Sequence, residues 1–232
     1  ARRKLRPSPN LDLFNPAFQE YLTGFLTDLA DTGIDGVLFR ADAPLGLPEG
    51  FSSHGLAGFE HDFGIRLDPS KLFARSDQTG PSPRSLEPQA RQEHPPEFWR
   101  WVGWKARGTL KVLDQLRRAM RQHSPRLQFA LEVHPETVTA PVEALAEYGE
   151  DLLEAKRSRF DYYLLGAQHA AVQSVVKRLI ELLGGADRIW VAAPLPEGDL
   201  AGLGERLRPT ADRASRAKGI GVMYMNASSS IP

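Results

Sequence analysis

No cysteine occurs anywhere in the 232 residues. That excludes disulfide staples, a thiolate nucleophile and any zinc site built on sulfur, but it leaves the compartment open, because exported domains often lack cysteine too. An excess of charge is missing as well: 29 Lys and Arg balance 29 Asp and Glu. Neutralising duplex phosphates needs surplus basic residues, so nucleic acid is not an expected partner. No apolar run approaches the roughly 18 residues of a membrane span. Three chemical signatures are also absent. No strand-like segment leads into GxGxxG or GxxxxGK, the loops that cradle phosphates. The six His form no HExxH pair, and there is no Gly-x-Ser-x-Gly elbow. The expected site therefore holds no metal and no cofactor.

What is present is the composition of a folded chain, 41% apolar and 25% charged, long enough to build a substantial core as one domain over residues 1–232. The start, Ala1-Arg2-Arg3-Lys4-Leu5-Arg6, has the basic part of an export signal without the apolar stretch. It is expected to be an internal segment of a longer protein.

Asn15 before Pro16 reads as an N-cap and first helical residue. Phe18, Tyr21, Leu22, Phe25, Leu26 and Leu29 then form one helical stripe, closed by Gly33. A short apolar strand, Ile34 to Phe39, follows. Further strands are predicted over Leu127–Val133, Phe160–Leu165, Ile189–Ala193 and Ile220–Met225. The intervening helices carry Leu110, Leu113, Leu116 and Met120 (about Pro96 to His123); Val142, Leu145, Ala146, Leu152 and Leu153; Val172 to Leu183, closed by Gly184; and Leu200 to Ala214. Five strands apolar on both faces and separated by helices predict an α/β fold with a parallel sheet. A doubly wound sheet loses ground without a phosphate loop. The fold expected is a (β/α) barrel of TIM type, partial or lacking its first units, since an eight-stranded barrel would hold three more. Residues 43–95 are rich in Gly, Pro and Ser with little periodicity. They read as a long strand-to-helix loop, either functional or a tolerated surface insertion.

In such barrels polar residues at the C-terminal ends of strands converge on the pocket. That rule selects Arg40 and Asp42; Glu132, His134 and Glu136; Gln168 and His169; Glu197; and Tyr224 and Asn226. Two facing carboxylates are the minimum for glycosidic cleavage: one protonates the leaving oxygen, the other attacks the sugar or activates water. By position the pair is Asp42 and Glu132, and an ionisable residue inside the strand Phe129-Ala130-Leu131-Glu132-Val133 is costly unless paired or used. The plainer alternative is a loop cap or an ion pair, with Arg40 pairing Asp42. Trp99, Trp101 and Trp104 open the long helix; aromatic faces stack on sugar rings, although at least one of these is expected to pack in the core.

These segments resemble a family. Leu11-Asp12-Leu13-Phe14-Asn15-Pro16, its helix, and Gly33 through Ala43 are similar to the C-terminal glycoside-hydrolase-like domain of bacterial poly-β-1,6-N-acetylglucosamine deacetylases, where the stretch reads like "SPFD…FDGILFHDDALL". Glu97 to Arg107 resembles its "QFxxWxxFKSRAL" helix, Phe160-Asp161-Tyr162 its "YDW", and Lys218 to Gly221 its "KNYGYY" strand. The likeness runs in order from about Leu11 to Asn226. It implies an exported, periplasmic or outer-membrane-associated domain of biofilm exopolysaccharide metabolism. Such a domain binds partially deacetylated poly-N-acetylglucosamine, in some members cleaves it endolytically, and is linked to or associated with a deacetylase. The candidate residues are then Asp42 and Glu132 for catalysis, with Arg40, His134, Glu136, Gln168, His169, Trp99, Trp101, Tyr224 and Asn226 binding substrate. The departures are specific. The family's "HDDA" is Arg40-Ala41-Asp42-Ala43, which keeps one acid of two; its "RNIFA" becomes Leu131-Glu132-Val133-His134-Pro135, a carboxylate in place of an amide. The "MPYLE" glutamate, near Val172, is absent, and "YPDN" becomes Met223-Tyr224-Met225-Asn226. Either Glu132 replaces the missing acid, or the domain binds polysaccharide for a deacetylase or exporter without cutting it.

Overall fold

The computed structural model describes residues 11–72, 94–166, 172–194, 205, 208–209, 211–212 and 216–223. The chain runs α1 (Pro16–Ala30), β1 (Gly36–Phe39), α2 (Ser53–Phe63), α3 (Pro69–Leu72), α4 (Pro96–His123), β2 (Gln128–Val133), α5 (Glu136–Thr139), α6 (Pro141–Tyr148), α7 (Leu152–Arg157), β3 (Tyr162–Gly166), α8 (Val172–Leu183), β4 (Ile189–Pro194) and β5 (Gly219–Met223). Asn15 caps α1 as expected, its side chain accepting from the Ala17 N–H with Pro16 at the first helical position.

The five strands form one parallel sheet in the order β1-β2-β3-β4-β5. Each strand pairs with the next in sequence, and the order does not reverse as it does in a doubly wound sheet. Residues in parallel register share a face. One face therefore carries Phe39, Phe129, Leu131, Tyr163, Leu165 and Val191, all buried. Against it pack Leu113, Leu116 and Met120 of α4, Leu152 and Ala155 of α7, and Val175, Val176 and Leu179 of α8. Each such fully buried side chain contributes about 1.5–3 kcal/mol. The other face carries Leu38, Ala130, Glu132, Tyr162, Leu164 and Trp190. These are half-buried, and among the described residues they belong to neither hydrophobic core.

Three differences from the sequence expectation bear on the site. The α1 stripe is wider than the contact it makes: Phe18, Leu22 and Leu26, one turn apart, reach the core, whereas Tyr21 and Phe25 face outward with their rings 6.5 Å apart. The segment between β1 and α4 is not all irregular. Its helices α2 and α3 form a second core, in which Phe59, Leu67 and Leu72 pack on Phe98, Trp101 and Val102 of α4. Where one helix was expected from Val142 to Leu153, the chain turns between α6 and α7. Gly149 ends α6 at φ +67°, and Asp151 caps α7 by accepting from the Leu153 and Glu154 N–H groups. A β-carbon at Gly149 would lie 2.5 Å from the Leu45 carbonyl oxygen, so only glycine lets this turn lie against the loop that leaves β1. The expected helix over Leu200–Ala214 falls mostly outside the described residues.

Candidate active site

The sheet register alone brings the first candidates together. Phe39 pairs with Leu131, so the next residues, Arg40 and Glu132, are neighbours on the face away from the helices. Arg40 Nε lies 3.7 Å from Glu132 Oε2, and the Ala41 N–H donates to the same oxygen at 3.1 Å. Arg40 Nε is also 4.0 Å from Asp42 Oδ1. One guanidinium thus lies between the two acids. With both oxygens this near a single atom, they are within about 8 Å of each other, a span that admits both the retaining and the inverting arrangement of a glycosidase pair. Their surroundings differ: the Asp42 side chain is 78% exposed and that of Glu132 only 16%. On the helix side of Glu132 the space among Thr109, Leu131 and Leu152 is only about 10 Å³. Nothing the size of a sugar fits there.

Just past the end of β2, the His134 Nδ1–H donates to Glu150 Oε1 at 2.7 Å, and the His134 backbone N–H donates to Glu150 Oε2 at 3.0 Å. The Thr137 hydroxyl donates to that second oxygen as well. Glu150 is almost fully buried, its side chain 5% exposed. The imidazole lies flat on Tyr148, centroids 3.8 Å apart and planes 9° apart. The bond to Glu150 raises the His134 pKa above its ordinary value; the charges of Glu150, Glu136 and Glu132 add to this, while burial opposes it. Burial raises the Tyr148 phenol pKa as well, reinforced by nearby carboxylates. Glu136 opens α5 beside this group.

Glu150 was not among the residues selected from the sequence. It sits in the α6–α7 turn, which a reading of one continuous helix hides. The signal that reveals it is Gly149 followed by two acids, a helix end and a helix start in succession.

The tryptophans separate. Trp101, selected as a substrate-binding residue, is fully buried between Phe51, at 4.8 Å, and Phe59, at 5.5 Å; it has no face left for a sugar, and that expectation is corrected. The α2–α3 excursion covers it, which helical periodicity within α4 does not reveal. Trp104 stacks on Trp101 and donates from Nε1 to Asp62 at 2.7 Å. Trp99 is 37% exposed, edge-on to Phe98. Gln168, His169, Glu197, Tyr224 and Asn226 lie outside the described residues. Among the described residues no group of three or more His, Asp or Glu is placed to hold a metal ion, and no helix is long and apolar enough to cross a membrane.

No protein-family model matches the chain, and none of the curated proteins matches it.

Proposed function

We propose that this domain acts on an exopolysaccharide of the poly-N-acetylglucosamine type, as an endo-acting glycoside hydrolase with Asp42 and Glu132 as its carboxylate pair. The fold we infer for it is a partial TIM-type barrel: sequential parallel order and helices packed on one face are what such a barrel has. The observation that carries the reading is the meeting of Asp42 and Glu132 around Arg40 at the C-terminal ends of adjacent strands, where barrels keep their chemistry. Acids also outnumber bases here. Asp42, Glu132, Glu136 and Glu150 surround Arg40 and His134, a balance that favours a sugar bearing free amines. An exported protein associated with a deacetylase would have that substrate at hand.

A second reading, a non-catalytic polysaccharide-binding module, is favoured by one specific observation. Arg40 holds both acids at once, as a fixed charge does in a recognition site. One incubation separates the two. Partially deacetylated poly-β-1,6-N-acetylglucosamine is mixed with the protein and with an Asp42→Asn, Glu132→Gln double variant, and the products are sized. Shortening by the wild type that the double variant loses supports hydrolysis. Retention without shortening supports the module, and equal shortening by both proteins rules out the proposed pair.

A further inference from the structure

Burying a carboxylate is costly unless its oxygens are well paired. Glu150 is buried, and two of its three donors come from one residue: the His134 backbone N–H and ring Nδ1–H, joined by the Thr137 hydroxyl. A turn that needed only closing would require one N–H. Here the carboxylate fixes the tautomer and position of an imidazole, and Tyr148, stacked at 3.8 Å, holds the plane of the ring. Nδ1 is taken up, and among the described residues Nε2 has no partner. His134 follows directly on the end of β2, its side chain is 32% exposed, and the charges of Glu132 and Glu136 bear on its ring, so it stands beside the carboxylate pair.

We propose that His134 contacts the ligand of this site through Nε2, and that Glu150 is its positioning residue. The identity of that ligand rests on the polysaccharide reading above. The charged groups bearing on the ring are Glu150, Glu136 and Glu132, with the Tyr148 phenol beneath it. Held by Glu150 and in the field of Glu136 and Glu132, the ring keeps its proton further toward neutral pH, and Nε2–H is then a charged donor. Its natural acceptor on an amino sugar is a hydroxyl or an acetamido carbonyl oxygen. The carboxylates nearby take the complementary part, accepting from hydroxyls and amines. The site would thus read both the acetylated and the free-amine units of one chain.

The test follows the histidine side-chain resonances of the whole chain by NMR across pH, with and without a partially deacetylated β-1,6-glucosamine oligosaccharide. Three proteins are compared: wild type, Glu150→Gln and His134→Gln. The oligosaccharide should shift the His134 Nε2 resonance. Glu150→Gln should lower the His134 titration midpoint and weaken binding at pH 7 about tenfold. His134→Gln should weaken it by a similar factor, and the double variant by no more than either, because the two act as one unit. If Glu150→Gln does not fold, Glu150→Asp, which draws the carboxylate back from the ring by one methylene, replaces it with a smaller shift in the same direction. Unchanged affinity in His134→Gln overturns the ligand contact, and an unmoved midpoint in Glu150→Gln overturns the positioning role. An oligosaccharide that perturbs no resonance anywhere takes down the polysaccharide reading and the contact with it, while the midpoint still reports on the His134–Glu150 couple.

Discussion

The charges at the two ends of the sheet are used differently. At the N-terminal ends of the strands, Asp161 accepts from Arg121 Nη2 at 2.5 Å and from the Phe129 N–H at 2.7 Å. Arg188 donates to the Phe160 carbonyl and lies 5.4 Å over the Tyr163 ring. Lys156 donates to the Leu182 carbonyl at 2.8 Å. Each charge holds a loop to a strand or a helix end. At the C-terminal ends, Arg40 meets its two acids at 3.7 and 4.0 Å, and most of the Asp42 side chain is in solvent. The larger concavity, about 440 Å³, lies at the stapled end, beside Tyr162 and Lys218. Concavity size therefore does not favour the end where the proposed site stands. Pairing separates the two ends better: Glu132 accepts from the Ala41 backbone N–H, but the side chains of Arg40 and Asp42 are, among the described residues, tied to no backbone group and stay free to meet a ligand under the reading proposed above.

The first way to sharpen that comparison uses a buried staple at the C-terminal end. Lys105 of α4 is fully buried and donates to the carbonyls of Gly46 and Glu49, in the loop that follows Asp42. Burial lowers its pKa to about 8 from 10.5, with the Glu49 charge opposing. Between those two pH values the unfolded chain binds a proton that the folded chain has already released. Stability relative to a Lys105→Met variant should therefore rise with pH across this window, by about 3 kcal/mol in all, and stay level below it. Urea unfolding of both proteins at a series of pH values measures this, and a flat difference from pH 8 to 10.5 would show that the amine is not held desolvated.

The second bears on the stapled end itself. Asp161→Ala leaves the Phe129 N–H and Arg121 without their acceptor, and since this carboxylate is 31% exposed the loss is discounted for solvent. It should cost about 2 kcal/mol of unfolding free energy and leave the polysaccharide response proposed for the opposite end unchanged. A variant that kept full stability would mean the staples do not hold the sheet's lower edge.

How much of this was legible in the sequence depends on which residues set the pattern. The strands and α4 were readable because their apolar positions repeat without interruption, and Asn15-Pro16 marked α1 by local chemistry alone. Arg40, Asp42 and Glu132 were readable because a strand end fixes where its next residues stand. Glu150 was not: its place depends on Gly149 fitting against the Leu45 carbonyl, a contact across about a hundred residues. The burial of Trp101 was hidden for the same reason, since Phe51 and Phe59 come from a segment whose own periodicity is weak. Tyr21 and Phe25 show the converse, an apolar spacing that exceeds the surface available to bury it.

The smallest expected effect on stability is the most telling for function. Asp42 is mostly solvated, and its one ion pair is long, so Asp42→Ala should change the unfolding free energy by less than about 0.5 kcal/mol. If Asp42 belongs to the site, the same substitution should abolish cleavage of the polysaccharide or, in a binding module, weaken its retention. Thermal unfolding and product sizing on one preparation read both quantities. A residue that holds nothing together yet cannot be removed is there for a ligand. Should Asp42→Ala instead lower stability as Asp161→Ala does, Arg40 and its acids would be one more staple, and the contrast between the two ends of the sheet would disappear.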